Sequence, residues 1–296
     1  MEKQDAYKAI LALFLALTMI LSVFALFLNP VSNTEQGAQE QESQQEKYNP
    51  EFWNMNQPFY SISDALNMTP VGAVSASYVD LESMTPQMVQ WARQDMALIN
   101  EVDSIYNSST TKMYYANLYD GKNSSFLLLS TMSPERNDFE YIVPPWAPYK
   151  GHYILTRQEQ GISGIYNVMG SPTVFAPPQT AIDVIDITTS LNKTATAYDQ
   201  YEGLLSRVEQ APFQTMSSNV SFAKQYYMGI RLDNGSYEKT AAYLDANSSI
   251  LKKLDQSKTN STQKGFSQYN ITKVGNYTLV KITGQDMFRV ISEETS

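Results

Sequence analysis

Lys112-Met113-Tyr114-Tyr115-Ala116-Asn117-Leu118-Tyr119-Asp120-Gly121 (KMYYANLYDG) reads as a strand that ends in a turn. Lys224-Gln225-Tyr226-Tyr227 (KQYY) opens a similar run that ends in Asn234-Gly235. Aromatic and β-branched residues suit the pleated, half-buried surface of a sheet. Asp-Gly and Asn-Gly supply the positive φ angles of a two-residue hairpin turn. Two such hairpins in one chain point to an internal duplication. Further pairs follow in the same order: residues 73–80 (AVSASYVD) resemble 181–186 (AIDVID), and 151–157 (GHYILTR) match 275–281 (GNYTLVK).

The segments between these pairs read as helices. Thr85-Pro86 is an N-cap followed by proline at the first helical position. Met88, Ala92, Met96, Ile99, Val102 and Tyr106 then recur at three- and four-residue steps, giving one apolar face that ends near Asn107. Tyr198, Tyr201, Leu205 and Val208 do the same in the second copy, and residues 247–258 form a weaker helix beyond it. The resulting order, βαββαβ, is the split βαβ plan. The expected fold is α+β, with two tandem ferredoxin-like repeats over 70–170 and 171–296. In the first copy Ser133-Pro134-Glu135 and a proline-rich loop stand where the second helix belongs. Residues 51–69, with Phe52, Trp53, Phe59 and Tyr60, read as a linking or capping segment.

Upstream lies AILALFLALTMILSVFALFL, residues 9–28, with no charge. Twenty residues at helical rise span about 30 Å, the thickness of a bilayer core. The segment reads as a transmembrane helix. A cleaved signal peptide is the rival, with a small-residue site at Val23-Phe24-Ala25. Lys3 and Lys8 precede the apolar run, and the next basic residue is Lys47. That asymmetry puts residues 1–8 in the cytoplasm and the C-terminal body outside. Residues 29–50 (NPVSNTEQGAQEQESQQEKYNP) have too few apolar side chains to bury and read as a disordered Gln/Glu-rich stalk.

Ten of the nineteen asparagines begin an Asn-x-Ser/Thr sequon, all beyond the apolar run. If Ser and Thr fill about a fifth of positions, chance gives about four. Asn107, Asn123, Asn192, Asn219, Asn234, Asn247, Asn260, Asn270 and Asn276 are candidate glycan sites. Asn67 is weaker, because Pro70 follows its acceptor Thr69. The chain has no cysteine, which excludes disulfides, thiol catalysis and zinc-thiolate sites. Dense sequons without cysteine fit an archaeal surface better than a eukaryotic one. A net charge of −9 argues against a nucleic-acid partner.

Catalytic sets are scarce. His152 is the only histidine, so His-pair metal sites are excluded and a Ser-His-Asp triad would have to use it. Ser-x-x-Lys recurs along the chain, as at Ser109/Lys112, Ser190/Lys193, Ser249/Lys252 and Ser261/Lys264, without its partner motifs. Asp80 with Glu82, and Asp183 with Asp186, are the carboxylate pairs that could serve hydrolysis or hold Ca²⁺. They read more simply as solvated strand ends. The candidate binding surface is the loop 141–153 (YIVPPWAPYKGHY), where Tyr141, Trp146, Tyr149, His152 and Tyr153 sit among prolines. Rigid aromatics offer flat area at low entropy cost. The competing reading packs these rings between the two halves.

These readings lead to a membrane-anchored, N-glycosylated extracytoplasmic protein with no catalytic residues, cofactor or metal. It would act as a cell-surface structural or binding module, with the membrane and surface proteins as partners. The alternative is a single-span accessory subunit of a membrane complex. An extracytoplasmic hydrolase using paired carboxylates stands last.

Overall fold

The computed structural model describes residues 50–135, 139–159 and 161–295. The expected tail, transmembrane helix and nearly all of the stalk (1–49) lie outside these residues. Among the described residues no helix is long and apolar enough to cross a membrane, so the structure lends the spanning helix no support.

A short 3-10 turn, Pro50–Phe52, leads into β1 (Met55–Asn56) and α1 (Ile62–Met68). Ser61 caps α1 by accepting from the Asp64 amide. Strand β2 (Ala73–Asp80) precedes α2 (Pro86–Asp95) and α3 (Leu98–Tyr106). The Thr85 hydroxyl caps α2, and Asn107 ends α3 in the left-handed region at φ 47°. The single helix expected here breaks at Met96-Ala97, yet Met88, Ala92, Ile99, Val102 and Tyr106 all remain buried. Next come β3 (Ser109–Tyr119), β4 (Ser124–Ser133), β5 (Leu155–Thr156), β6 (Tyr166–Val168), β7 (Gly170–Ser171) and β8 (Thr173–Ala176). Helices α4 (Pro178–Thr189) and α5 (Ala197–Leu205) follow, then the meander β9 (Phe213–Val220), β10 (Ala223–Asp233) and β11 (Ser236–Leu244). The chain closes with α6 (Ser248–Thr259), β12 (Gln268–Val274), β13 (Tyr277–Gly284) and α7 (Met287–Ser292).

Eleven strands form one sheet in the order β12-β13-β11-β10-β9-β2-β3-β4-β8-β6-β5. Every pairing in it is antiparallel, and β1 with β7 makes a separate parallel pair. This overturns the two ferredoxin-like repeats. A split βαβ unit crosses between parallel strands. Here the helical crossover α2–α3 joins β2 to its immediate antiparallel neighbour β3. The would-be halves also share the sheet, through β2 and β9 from Ser75↔Ser217 to Val79↔Phe213. Outward from that seam the two sides differ: five strands, β9-β10-β11-β13-β12, lie on one side and six, β2-β3-β4-β8-β6-β5, on the other.

Two matched segments fall elsewhere. Residues 181–186 belong to helix α4, where Ala181, Val184 and Ile185 are buried at helical spacing behind prolines 177 and 178. Of 151–157 only Leu155–Thr156 is strand, because Gly151 sits in a tight turn at φ 82°. The two turn signals also differ. Asn234 and Gly235 have φ 48° and 77°, which makes a two-residue turn between Asp233 and Ser236. Asp120-Gly121 opens a longer loop in which the Asp120 carboxylate accepts from the amides of Lys122 and Asn123, both at 2.7 Å.

Helices cover both faces of the sheet. On one face α1, α4 and α5 pack over Tyr78, Tyr114, Leu129, Val174, Met216 and Tyr227. On the other, α2 and α3 cover Val79, Met113, Leu128 and Phe213. Beside them α6 and α7 cover Ala241, Tyr243, Val280 and Ile282. Pairing of Tyr227 with Ala242 on the first face continues that core past the seam, so burial is shared across the whole sheet.

Candidate functional site

The aromatic loop divides its side chains between packing and exposure. Tyr141 and Tyr153 pack edge-on against Phe52, with ring centroids at 5.4 and 4.7 Å. They pin the Pro50–Phe52 turn to the body. Tyr149 and His152 pair across a tight turn, where Lys150 and Gly151 have φ 46° and 82°. Such angles at both central residues make the primed turn that suits antiparallel chains. The Tyr149 hydroxyl donates to Asp186 on α4 at 2.9 Å, and Lys150 pairs with the same carboxylate at 2.8 Å. The hydrogen bond from Lys150 holds the Asp186 carboxyl below its usual range, and that from Tyr149 adds to it. His152 Nδ1 lies 3.1 Å from the Lys150 carbonyl. Trp146 is the outlier: it lies near Tyr166, centroids 5.9 Å apart, and stays 50% exposed. Of the five expected binding residues, then, Tyr141 and Tyr153 serve packing and Tyr149 docks the loop on α4. Trp146 offers the open ring.

The carboxylate pairs do not converge on an open site. Asp80 accepts from the amides of Glu82 and Ser83, and Lys112 bridges Asp80 at 3.7 Å and Glu82 at 2.5 Å. Asp183 accepts from Gln179 at 2.8 Å, while Asp186 is held by the loop. Among the described residues no cluster of three His, Asp or Glu side chains is placed to hold a metal.

One ion network was not legible in the sequence. Glu238 is buried on β11 and pairs with Arg231 at 3.0 Å and Lys281 at 2.7 Å, while Arg231 also reaches Glu209. Arg231 lies directly opposite Glu238 in the ladder, but Lys281 arrives through the β11–β13 pairing, which no local signal announces.

The sequons have a clear geography. All ten asparagines are exposed. By the ladder registers, the β3–β4 loop, the β9–β10 turn, the β11–α6 link and the β12–β13 turn share one end of the sheet. Asn123, Asn247 and Asn276 lie in these connections, Asn219 is the penultimate residue of β9, and Asn67 ends α1 just before β2 enters there. The N-terminal segment joins at the opposite end, where Met55 pairs with Gly170 in the β6–β8 connection. With strands of up to eleven residues, the ends lie about 30 Å apart. Residues 124–191 carry no sequon. They supply β4, the β8–β6–β5 flank, the Trp146 loop and all of α4.

No protein-family model matches the chain, and no curated protein matches it. Among solved structures it is similar to crystal forms I and IV of TP0453. Form I shows 10% identity and a TM-score of 0.42, covering 77% of this chain and 96% of that one. Form IV shows 9% identity and a TM-score of 0.43, with the same coverage. Likeness at this level carries no functional argument.

Proposed function

We propose that this chain is an extracytoplasmic, N-glycosylated body tethered through the apolar segment 9–28, and that it works as a non-enzymatic surface or binding module. The carrying observation is the polarity of the sequons. All ten asparagines are exposed, and five gather at the end of the sheet remote from the N-terminal segment. A body held from that segment presents those five outward, while Asn107 and Asn234 lie at the near end. The carboxylates that hydrolysis would need are instead engaged in capping and ion pairing. Glycopeptide mapping of the native protein tests this reading. Glycans at several of these sites support it; unmodified asparagine at all ten refutes it.

A second reading, the accessory subunit of a membrane complex, draws on the sequon-free stretch 124–191. Glycans would obstruct a protein neighbour, and here the flank displays Trp146 and Ile142 at 50% and 46% exposure. Stoichiometric partners in mild detergent, lost on Trp146→Ala, would favour it. A monodisperse chain free of other proteins would end it.

A further inference from the structure

The two edges of the sheet are built differently. At one, β5 has only two residues, and the Ile142↔Thr156 bridge lays more chain along it. At the other, β12 runs seven residues and pairs, among the described residues, with β13 alone. Its register is unbroken from Gln268↔Thr283 to Val274↔Tyr277, so no bulge twists it away. A regular edge of this length presents unpaired N–H and C=O groups that template another chain. Lys273 is the only charge along it, and it has no proline.

Side chains alternate across β12. Tyr269 and Ile271 turn toward the core beneath α6. Asn270 and Thr272 fall on the opposite face and are exposed. Asn270-Ile271-Thr272 is a sequon in the middle of the edge strand.

We propose that an N-glycan on Asn270 caps this edge and keeps a second chain from adding a strand to β12. An added strand would lie about 4.8 Å away and set a side chain about 5 Å from Asn270 on the same face. The first sugar on Asn270 Nδ2 takes that place. The inference rests on the glycoprotein reading above and gives one of its sugars a specific task.

The test uses the full chain from a glycosylating host, in mild detergent. Asn270→Gln and Thr272→Ala remove the sequon from either side. Thr272→Lys removes it while adding a charge to the edge. Thr194→Ala removes the Asn192 sequon as a control. Light scattering after size separation reads assembly, and glycopeptide mapping reads occupancy. The expected result is an occupied Asn270 and a monomeric parent, with dimers and larger species in Asn270→Gln and Thr272→Ala only. Both variants as monomeric as the parent would overturn the proposal, as would equal assembly in Thr194→Ala. A bare Asn270 among occupied sequons defeats the cap and leaves the glycoprotein reading standing. Bare asparagine at every sequon defeats both.

Discussion

Raising the pH from 7 to 9 should stabilise this protein, through one buried amine. Lys239 on β11 is 4% exposed, beneath the C-terminal segment. Its Nζ donates to the carbonyls of Ile291 at 2.9 Å and Glu293 at 2.7 Å. Burial pushes its pKa from 10.5 down to about 8, and the Glu293 and Glu294 carboxylates only partly oppose that. The unfolded chain therefore holds a proton that the folded one has released between about pH 8 and 10.5. Stability rises with pH wherever the unfolded state binds more protons. A shift of this size corresponds to about 3 kcal/mol in all, at about 1.4 kcal/mol per unit, and roughly 1 kcal/mol of it returns between pH 7 and 9. Nine buried or half-buried tyrosines, Tyr226 and Tyr243 among them, work the other way: burial raises each, so their joint contribution is lost as pH climbs past 9 toward 10 and above. The window must stop short of that. Urea denaturation followed by tryptophan fluorescence at half-unit pH steps reads the slope. Lys239→Met should flatten it whatever its effect on absolute stability, and Lys239→Arg should flatten it while remaining charged. A parent without a rising slope, or a Met variant that keeps it, refutes the reasoning.

The aromatic loop predicts a contrast. Phe52→Ala removes the ring on which Tyr141 and Tyr153 pack and should cost about 3 kcal/mol, whereas half-exposed Trp146→Ala should cost about 1 kcal/mol at most in the same denaturation assay. Sequon occupancy should also be uneven. The acceptor threonines of Asn67 and Asn276, Thr69 and Thr278, are buried in the folded body. Asn67 and Asn276 should therefore be the least occupied sites when glycopeptides are quantified, and more fully occupied sites should be those whose acceptor hydroxyl stays exposed, such as Asn192 and Asn260.

Local chemistry was readable; long-range pairing was not. The Thr85 cap, the buried stripe from Met88 to Tyr106 and the Asn234-Gly235 turn each follow from residues within a few positions of one another. So does α6, whose N-cap is Asn247. Residues 181–186 misled because their isoleucines and valine suit a strand, and six residues are too few for the helical spacing of Ala181, Val184 and Ile185 to stand out. The prolines at 177 and 178 were the missed helix-start signal. The central seam joins Val79 to Phe213, and nothing local specifies that register. The same holds for the site. Tyr149 finds Asp186 through the packing of the loop on α4, and Phe52 finds Tyr141 and Tyr153 from the far side of the chain. The aromatic content of the loop was visible in the sequence. Which rings would be spent on packing depended on neighbours far away in it.

The central claim is that this body stands outside the membrane, tethered at its N-terminal side with its sequon-rich end outward. Limited proteolysis of intact cells, with mass spectrometry of what is released, tests it most directly. The account predicts a glycosylated fragment that begins within residues 30–50 and runs to the end of β13 or beyond. A body that stays protected until the cells are broken, or that carries no glycan when freed, would contradict it.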